Sequence, residues 1–388
     1  MTAFHQLAAL APREHFPHLS QVTYLNAASI GLVPLPVFEA AHAFDRDVAL
    51  RGTTGFDEAA ETRVLEGARR SAAKLLHADP DDVAIVKSAT EAFAQAAWWV
   101  RPPAGTNVVT LDIEHPSTAY PWMRVARDTG AEVRLVQVWD DPASLSLERV
   151  AELIDERTSV VVLSLVQYST GFRFELGELS SLAHAHGALL AVDATQAAGM
   201  VPIDVVAGDV DILVAGGYKW LCGPFGAAVC YLRTEVRERF DPPFVGWRST
   251  VDPYTFDVRS MPLPDAARKM EYSTMTYGAA VGLAAAIDYL LGIGIERMLE
   301  HDRALGALLV DGLEELGATL LSSREDARRS GIVTARYPER DGEEVAARLN
   351  DAGVVVSPRF GATRFSLHLF NDDADIARAL DVLEDILG

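Results

Sequence analysis

Short, uninterrupted apolar runs separated by helix-like stretches constrain this chain more than any other feature. Residues 82–86 (DVAIV), 107–111 (NVVTL), 132–136, 159–165 (SVVVLSL), 188–192 (ALLAV), 212–215 and 227–232 read as strands. Helical patterns over 91–100, 119–129, 147–154 and 178–185 fall between them. Strands apolar at every position are buried on both faces, so the pattern predicts an α/β fold with a mostly parallel sheet covered by helices on both sides. Such sheets bind ligands outside the carboxyl ends of their strands, so polar residues just after a strand carry the most information. After residue 240 the pattern changes. A Pro-rich stretch (241–264) leads to long helices over 277–291 and 298–316. Strands near 331–335, 354–357 and 364–369 and helices over 342–351 and 373–387 then make a small α+β unit. A chain of 388 residues exceeds one ordinary core. The expected division is a large domain over 21–265 and a small one over 266–388. In this division helix 277–291 lies between the two domains, and the segment 1–20 packs on the small one.

Charge and cysteine usage exclude several classes. The formal net charge of −21 opposes nucleic acid and anionic membranes, which need clustered Lys and Arg. The only cysteines are Cys222 and Cys230, with no CxxC pair and no disulfide framework, which fits a reducing cytoplasm. The N-terminal residues carry early charge and no long apolar core, so no signal peptide is expected. No window reaches the roughly 18 apolar residues of a membrane span. The nearest, 277–293, is rich in Ala and Gly and reads as a buried helix.

The candidate chemistry begins at Asp193, which follows ALLAV; a helix cap would explain it equally well. Lys219 follows the strand DILVAG within GGYKWLCGPFG (216–226), and its apolar surroundings favour a neutral, nucleophilic amine over a snorkelling surface Lys. A carboxylate and a reactive lysine together suit pyridoxal 5′-phosphate (PLP), because the lysine forms a Schiff base and the carboxylate keeps the pyridine nitrogen protonated. Gln196, three residues after Asp193, is placed to donate to the ring's phenolic oxygen. In KSATEAF (87–93) Ser88, Ala89, Thr90 and Glu91 open a helix after a strand; the same residues read as a capping box and as a phosphate site. His115, in EHPST, also follows a strand and is placed to stack on the ring; a surface-loop histidine is the plain alternative. Arg364, starting a strand in RFSLHLFN, suits a substrate carboxylate or a surface ion pair. A nucleotide-binding rival fails, since there is no G-x-G-x-x-G after the first strand and no Walker A sequence.

With these residues assembled, the chain resembles the fold-type I, class V aminotransferase family. That family includes cysteine desulfurases, selenocysteine lyases, isopenicillin N epimerases, kynureninases and C–S lyases. The resemblance runs from YLNAASIG (24–31) to 376. It rests on SATEAF, EHPST, VDATQAAG, GGYKWLCGPFG and RFSLHLFN standing in the family's order. It implies Lys219 as Schiff-base lysine and acid–base group at Cα, Asp193 on the pyridine nitrogen, Gln196 on the ring oxygen and His115 stacked on the ring. Ala89 and Thr90 would bind phosphate with Tyr218 nearby, Arg364 the substrate carboxylate, and Asn26 would lie close to the substrate. Thr274, in MEYSTMTYG, matches the residue that reaches the partner subunit's phosphate, which implies a homodimer with the active site at its interface. Tyr168, expected in the active site at the cofactor, stands where the family often has Asn; kynureninases also have Tyr there, but with an aromatic rather than His at the stacking position. Trp247 and Arg248, in FVGWRS, are expected at the substrate entrance, and Tyr120 and Trp122 in loops that would accept a bulky amino-acid substrate.

One departure bears on the reaction. Cysteine desulfurases carry a mobile cysteine shortly before the position of Arg364, whereas the stretch here is VVVSPRFGATR. The expected activity is therefore Cα deprotonation and β-elimination of a sulfur substituent without a persulfide relay. Transamination and epimerisation share the same residues. A retained fold serving only to bind ligand is disfavoured by the intact Lys219, Asp193 and Arg364 set. No metal is expected.

Overall fold

A computed structural model describes residues 7–239 and 241–388. Its centre is a seven-stranded sheet. In chain order the strands are β1 (Val83–Val86), β2 (Asn107–Leu111), β3 (Glu132–Val136), β4 (Thr158–Ser164), β5 (Leu189–Asp193), β6 (Ile212–Gly216) and β7 (Ala228–Leu232). Their spatial order is β1-β7-β6-β5-β4-β2-β3. All pairings are parallel except those of β7, which runs antiparallel to both β1 and β6. This is the mostly parallel, two-sided sheet implied by the apolar runs, and every residue of β1, β2, β6 and β7 is buried.

The helices are α1 (Leu35–Arg51), α2 (Glu58–Leu76), α3 (Ala89–Val100), α4 (Pro116–Thr129), α5 (Leu147–Ala151), α6 (Leu176–His184), α7 (Thr234–Arg239), α8 (Tyr277–Ile293), α9 (Ile295–Glu315), α10 (Gly342–Asp351) and α11 (Asp373–Leu387). The sequence pattern did not delineate α1 and α2, which pack on α8. In each the apolar stripe is short and interrupted by charge, because only one narrow face meets a neighbour. Helix α3 starts at Ala89 rather than 91, and α4 at Pro116 rather than 119. The reason is capping: Ser88 Oγ accepts the Glu91 N–H at 3.1 Å, and Pro116 occupies the first turn of α4, where no N–H is needed. Glu91 closes a variant of the expected box by accepting the Lys87 N–H at 2.8 Å. No single helix among the described residues is long and apolar enough to cross a membrane.

The C-terminal part holds a four-stranded antiparallel sheet made of β8 (Thr319–Leu320), β9 (Ile332–Arg336), β10 (Ser357–Arg359) and β11 (Ala362–Ser366), in the order β10-β11-β9-β8. Arg364 is the middle residue of β11 rather than its start, and 367–369 leave the strand. Thr23–Tyr24 pairs in parallel with Val354–Val355. Arg13 forms ion pairs with Asp372 (3.1 Å) and Asp375 (3.0 Å), and the Phe16 and Phe370 ring centroids are 5.1 Å apart.

Candidate active site

The carboxyl ends of β2, β4, β5 and β6 lie side by side, and the segments that leave them converge on one cleft. From β6 comes Lys219, from β5 Asp193, Thr195 and Gln196, from β4 Ser164 and Tyr168, and from β2 His115 and Ser117. Ala89, the first residue of α3, and Tyr218 complete the lining. The cleft thus joins residues that are far apart in the chain, because parallel crossovers return β2, β4, β5 and β6 in the same direction.

Lys219 is only 8% exposed. Burial lowers its ammonium pKa to about 8; Asp193 opposes this and the Arg364 and Arg359 charges add to it. The loop carrying it is clamped from outside. The Gly31 N–H donates to the Tyr218 carbonyl at 2.9 Å, and a Cβ on Gly31 would lie 1.9 Å from the Lys219 carbonyl oxygen. Asp193 is 5% exposed, and both its oxygens are held. Thr118 Oγ1 donates to Oδ2 at 2.5 Å and the Thr195 N–H to Oδ1 at 2.8 Å. No cation among the described residues forms an ion pair with it, so a buried carboxylate faces the cleft with no partner for its charge.

His115 Nδ1 accepts the Ser117 N–H at 3.3 Å, which leaves the ring proton on Nε2. Burial pushes its pKa down, helped by Lys219 and opposed by Asp193, so the imidazole is neutral near pH 7. It meets Tyr168 edge-on, with centroids 5.7 Å apart. Its chain neighbour Glu114, to which the sequence pattern assigns no role, accepts the His115 N–H at 3.3 Å. Its carboxylate accepts the Ser164 N–H (2.7 Å) and Oγ–H (2.6 Å), tying the end of β2 to the end of β4. Burial raises its pKa to about 7, with Asp193 contributing, against the hydrogen bonds from Ser164. An acidic residue immediately before His115 at a strand end was the available signal.

Arg364 is fully buried. Its Nη1 donates to the Tyr168 carbonyl at 2.8 Å and its Nη2 to Ser29 Oγ at 2.7 Å, while Nε has no partner. Asn26 Oδ1 accepts from Ser357 Oγ at 2.9 Å, beside the same cluster. Gln196 is more constrained than expected. Its Oε1 accepts the Trp220 indole N–H (2.7 Å) and its Nε2 donates to the Ala28 carbonyl (3.0 Å), leaving one amide hydrogen free for a ligand. Thr90 sits at the rim, exposed, with its hydroxyl on Ser117 Oγ at 2.8 Å.

Other residues lie elsewhere. Thr274 is exposed and accepts the Trp247 indole N–H at 3.3 Å. Trp247 lines a separate hollow with Val251, Phe256 and Met261, not the Lys219 cleft of its own chain. Arg248 is not at an entrance: it is buried and paired with Glu61 at 3.0 Å. Trp122 is fully buried inside α4 and packs in the core rather than in a loop, whereas Tyr120 on the same helix is exposed.

The donor set fits PLP. The unpaired buried carboxylate suits a protonated pyridine nitrogen, the amine with its lowered pKa suits an aldehyde, and the amino end of the 12-residue helix α3 with the Ser117 and Thr195 hydroxyls suits a phosphate. The chain belongs to the class-V aminotransferase family, whose profile it matches over residues 23–378, and members of this family depend on PLP. It is 30% identical to a Streptomyces coelicolor protein named "Probable cysteine desulfurase", over 97% of this chain and 96% of that one. Among solved structures it is similar to the cysteine desulfurase of Thermococcus onnurineus (TM-score 0.88, 26% identity, 97% of each chain). It also shares its fold with the cystine C–S lyase C-DES (TM-score 0.86, 24% identity, 95% of this chain and 99% of that one). The protein is therefore a PLP-dependent enzyme of the cysteine desulfurase-like kind.

Proposed function

We propose that the protein is a C–S lyase that breaks the Cβ–S bond of a cysteine-derived amino acid and releases the sulfur as a free thiol. The observation that carries this reading is the β10–β11 hairpin. Where relatives of the resemblance hold a mobile cysteine, this chain has Ser357, Arg359 and a two-residue turn with φ of +51° at Phe360 and +67° at Gly361. That geometry is a tight hairpin turn, with no length to swing. The two cysteines do not replace it. Both are fully buried, and burial raises the Cys230 thiol to about 12, far from a reactive thiolate.

Bound PLP supplies an electron sink for negative charge at Cα. The chain's own groups do the rest. Asp193 would pair with the protonated pyridine nitrogen, and His115 would stack on the ring as a neutral imidazole. Arg364 binds the α-carboxylate, beside Asn26. Ala89, Thr90 and Tyr218 would hold the phosphate, and Gln196 would offer its remaining N–H to the ring oxygen. Lys219 Nζ takes the Cα proton, the C–S bond breaks, and the leaving sulfur is protonated. With one water, the overall balance gives thiol, pyruvate and ammonium. Half-buried Trp247 and exposed Thr274, both away from their own cleft, are read as reaching the site of a second copy in a homodimer, and the lack of a disulfide framework agrees with a cytoplasmic home.

The test is incubation of the holoenzyme and of the Cys222→Ala/Cys230→Ala double variant with an S-alkyl-L-cysteine and, separately, with L-cysteine. Pyruvate and thiol in equal amounts from both, with no persulfide on the intact protein by mass spectrometry, is the expected result. A protein-bound persulfide formed from L-cysteine would overturn it in favour of desulfuration. An amino-group transfer or Cα inversion without pyruvate would overturn it in favour of the transaminase or epimerase alternative.

A further inference from the structure

The β10–β11 hairpin places a second arginine where a simple amino-acid site has no use for one. Ser357 lies opposite Arg364, and Arg359 opposite Ala362. Residues directly opposite in an antiparallel pair share a face, as do residues two apart along a strand, so Ser357, Arg359 and Arg364 project from the same side. That side faces the cluster of Asn26, Ser29 and Tyr168, through the hydrogen bonds that Ser357 and Arg364 make there. The turn is fixed at its tip, since Arg336 Nη2 donates to the Phe360 carbonyl at 2.9 Å and the Phe360 ring meets Trp139 at 4.8 Å. Arg359 is therefore held, not trailing in solvent.

Neither guanidinium has a carboxylate partner among the described residues. Arg359 Nη1 donates only to its neighbour's carbonyl, Pro358 O, at 2.6 Å. Arg364 has only neutral acceptors and an unpartnered Nε. The Arg359 charge is felt at Lys219, His115 and Tyr168 as well as at Arg364. Arg364 is a buried cation without a charged partner, which is costly, and half-buried Arg359 adds repulsion to it, so the arrangement suits an anion at each. An ordinary amino acid brings one carboxylate, which Arg364 takes.

We propose that the substrate carries a second acidic group, a carboxylate, sulfinate or sulfonate on its sulfur substituent, and that Arg359 binds it. This rests on the lyase reading for the identity of the scaffold, a cysteine conjugate, but not for the second charge.

The test compares S-carboxymethyl-L-cysteine with its isosteric amide, S-carbamoylmethyl-L-cysteine, and the S-(2-carboxyethyl) acid with its amide. Dissociation constants are measured by calorimetry on PLP-loaded Lys219→Ala protein, where ligand binds without turnover, and KM values on the wild-type holoenzyme. At least one acid is expected to bind about 10-fold or more tightly than its amide. In Arg359→Gln that ratio falls to about 1, while amide binding changes by less than about 2-fold. Equal binding of acid and amide in both pairs would overturn the proposal. So would an Arg359→Gln variant that weakens acid and amide alike, which would put Arg359 on the α-carboxylate. A failed lyase reading shows differently, as absence of pyruvate from every ligand, and leaves the acid-to-amide ratio intact.

Discussion

At the scale of single residues, Lys219 is poised by its surroundings. An amine that titrates near 8 instead of 10.5 is largely neutral at mildly alkaline pH. The rate at which cofactor-free protein takes up PLP is therefore expected to rise with pH and level off with a midpoint near 8. Stopped-flow absorbance would show this, and a midpoint above 10 would contradict the burial argument. The same burial has a stability consequence. Between the folded pKa of about 8 and the unfolded 10.5 the unfolded chain binds more protons at this site, so its contribution to stability rises with pH across that window. Arg364 makes a second residue-level prediction. Its two Nη atoms reach acceptors in different directions, a fork that a lysine lacks. Arg364→Lys should raise KM by about 10- to 100-fold, the worth of one or two charge-assisted hydrogen bonds, with a smaller change in kcat; an unchanged KM would remove Arg364 from the carboxylate site.

At the scale of elements, what was legible in the sequence was whatever sat on a strand or just past one. The inner strands showed as apolar runs because both faces are covered, whereas the edge strand β3 carries Glu132 and Arg134 and is only partly buried; Asp193, His115 and Lys219 stood out because each follows an apolar run. Glu114 and Arg359 did not, since their meaning comes from contacts between distant segments: β2 with β4 through Ser164, and the β10–β11 face with Asn26, Ser29 and Tyr168. Helices α1 and α2 were missed for a related reason, their buried stripes being set by α8, more than two hundred residues later in the chain. The glycines mark the close approaches. Gly31→Ala should displace the Lys219 loop, because the new methyl would meet the Lys219 carbonyl oxygen. The expected outcome is loss of the cofactor's visible absorption band with far-ultraviolet circular dichroism intact; a normally loaded variant would show that the loop yields freely. Gly361→Val puts a β-branched residue at φ +67°, at a cost of about 1–2 kcal/mol, and should lower the thermal midpoint measurably.

At the scale of the whole molecule, the excess of acid over base dominates. With a net charge of −21, self-repulsion outweighs surface ion pairs that are each worth about 0–1 kcal/mol. Raising salt from about 10 to 300 mM shortens the screening length from about 30 Å to under 8 Å, so calorimetry should find the melting temperature rising by about 2 °C or more. A fall would show that paired surface charges matter more than the net excess. Against that acidic exterior, Arg359 and Arg364, whose charges act on Lys219, form a local cationic exception.

The short turn at Phe360 and Gly361 also bears on engineering. A sulfur carrier must collect its atom beside Lys219 and then hand it to an acceptor outside, which demands travel. A cysteine substituted into β10 would be pinned on both sides, by Arg336 at the tip and by the ladder to β11. Giving this scaffold a sulfur relay is therefore a matter of added chain length at 360–361, not of a point substitution, and the insertion would come at the expense of the position that Arg359 now holds.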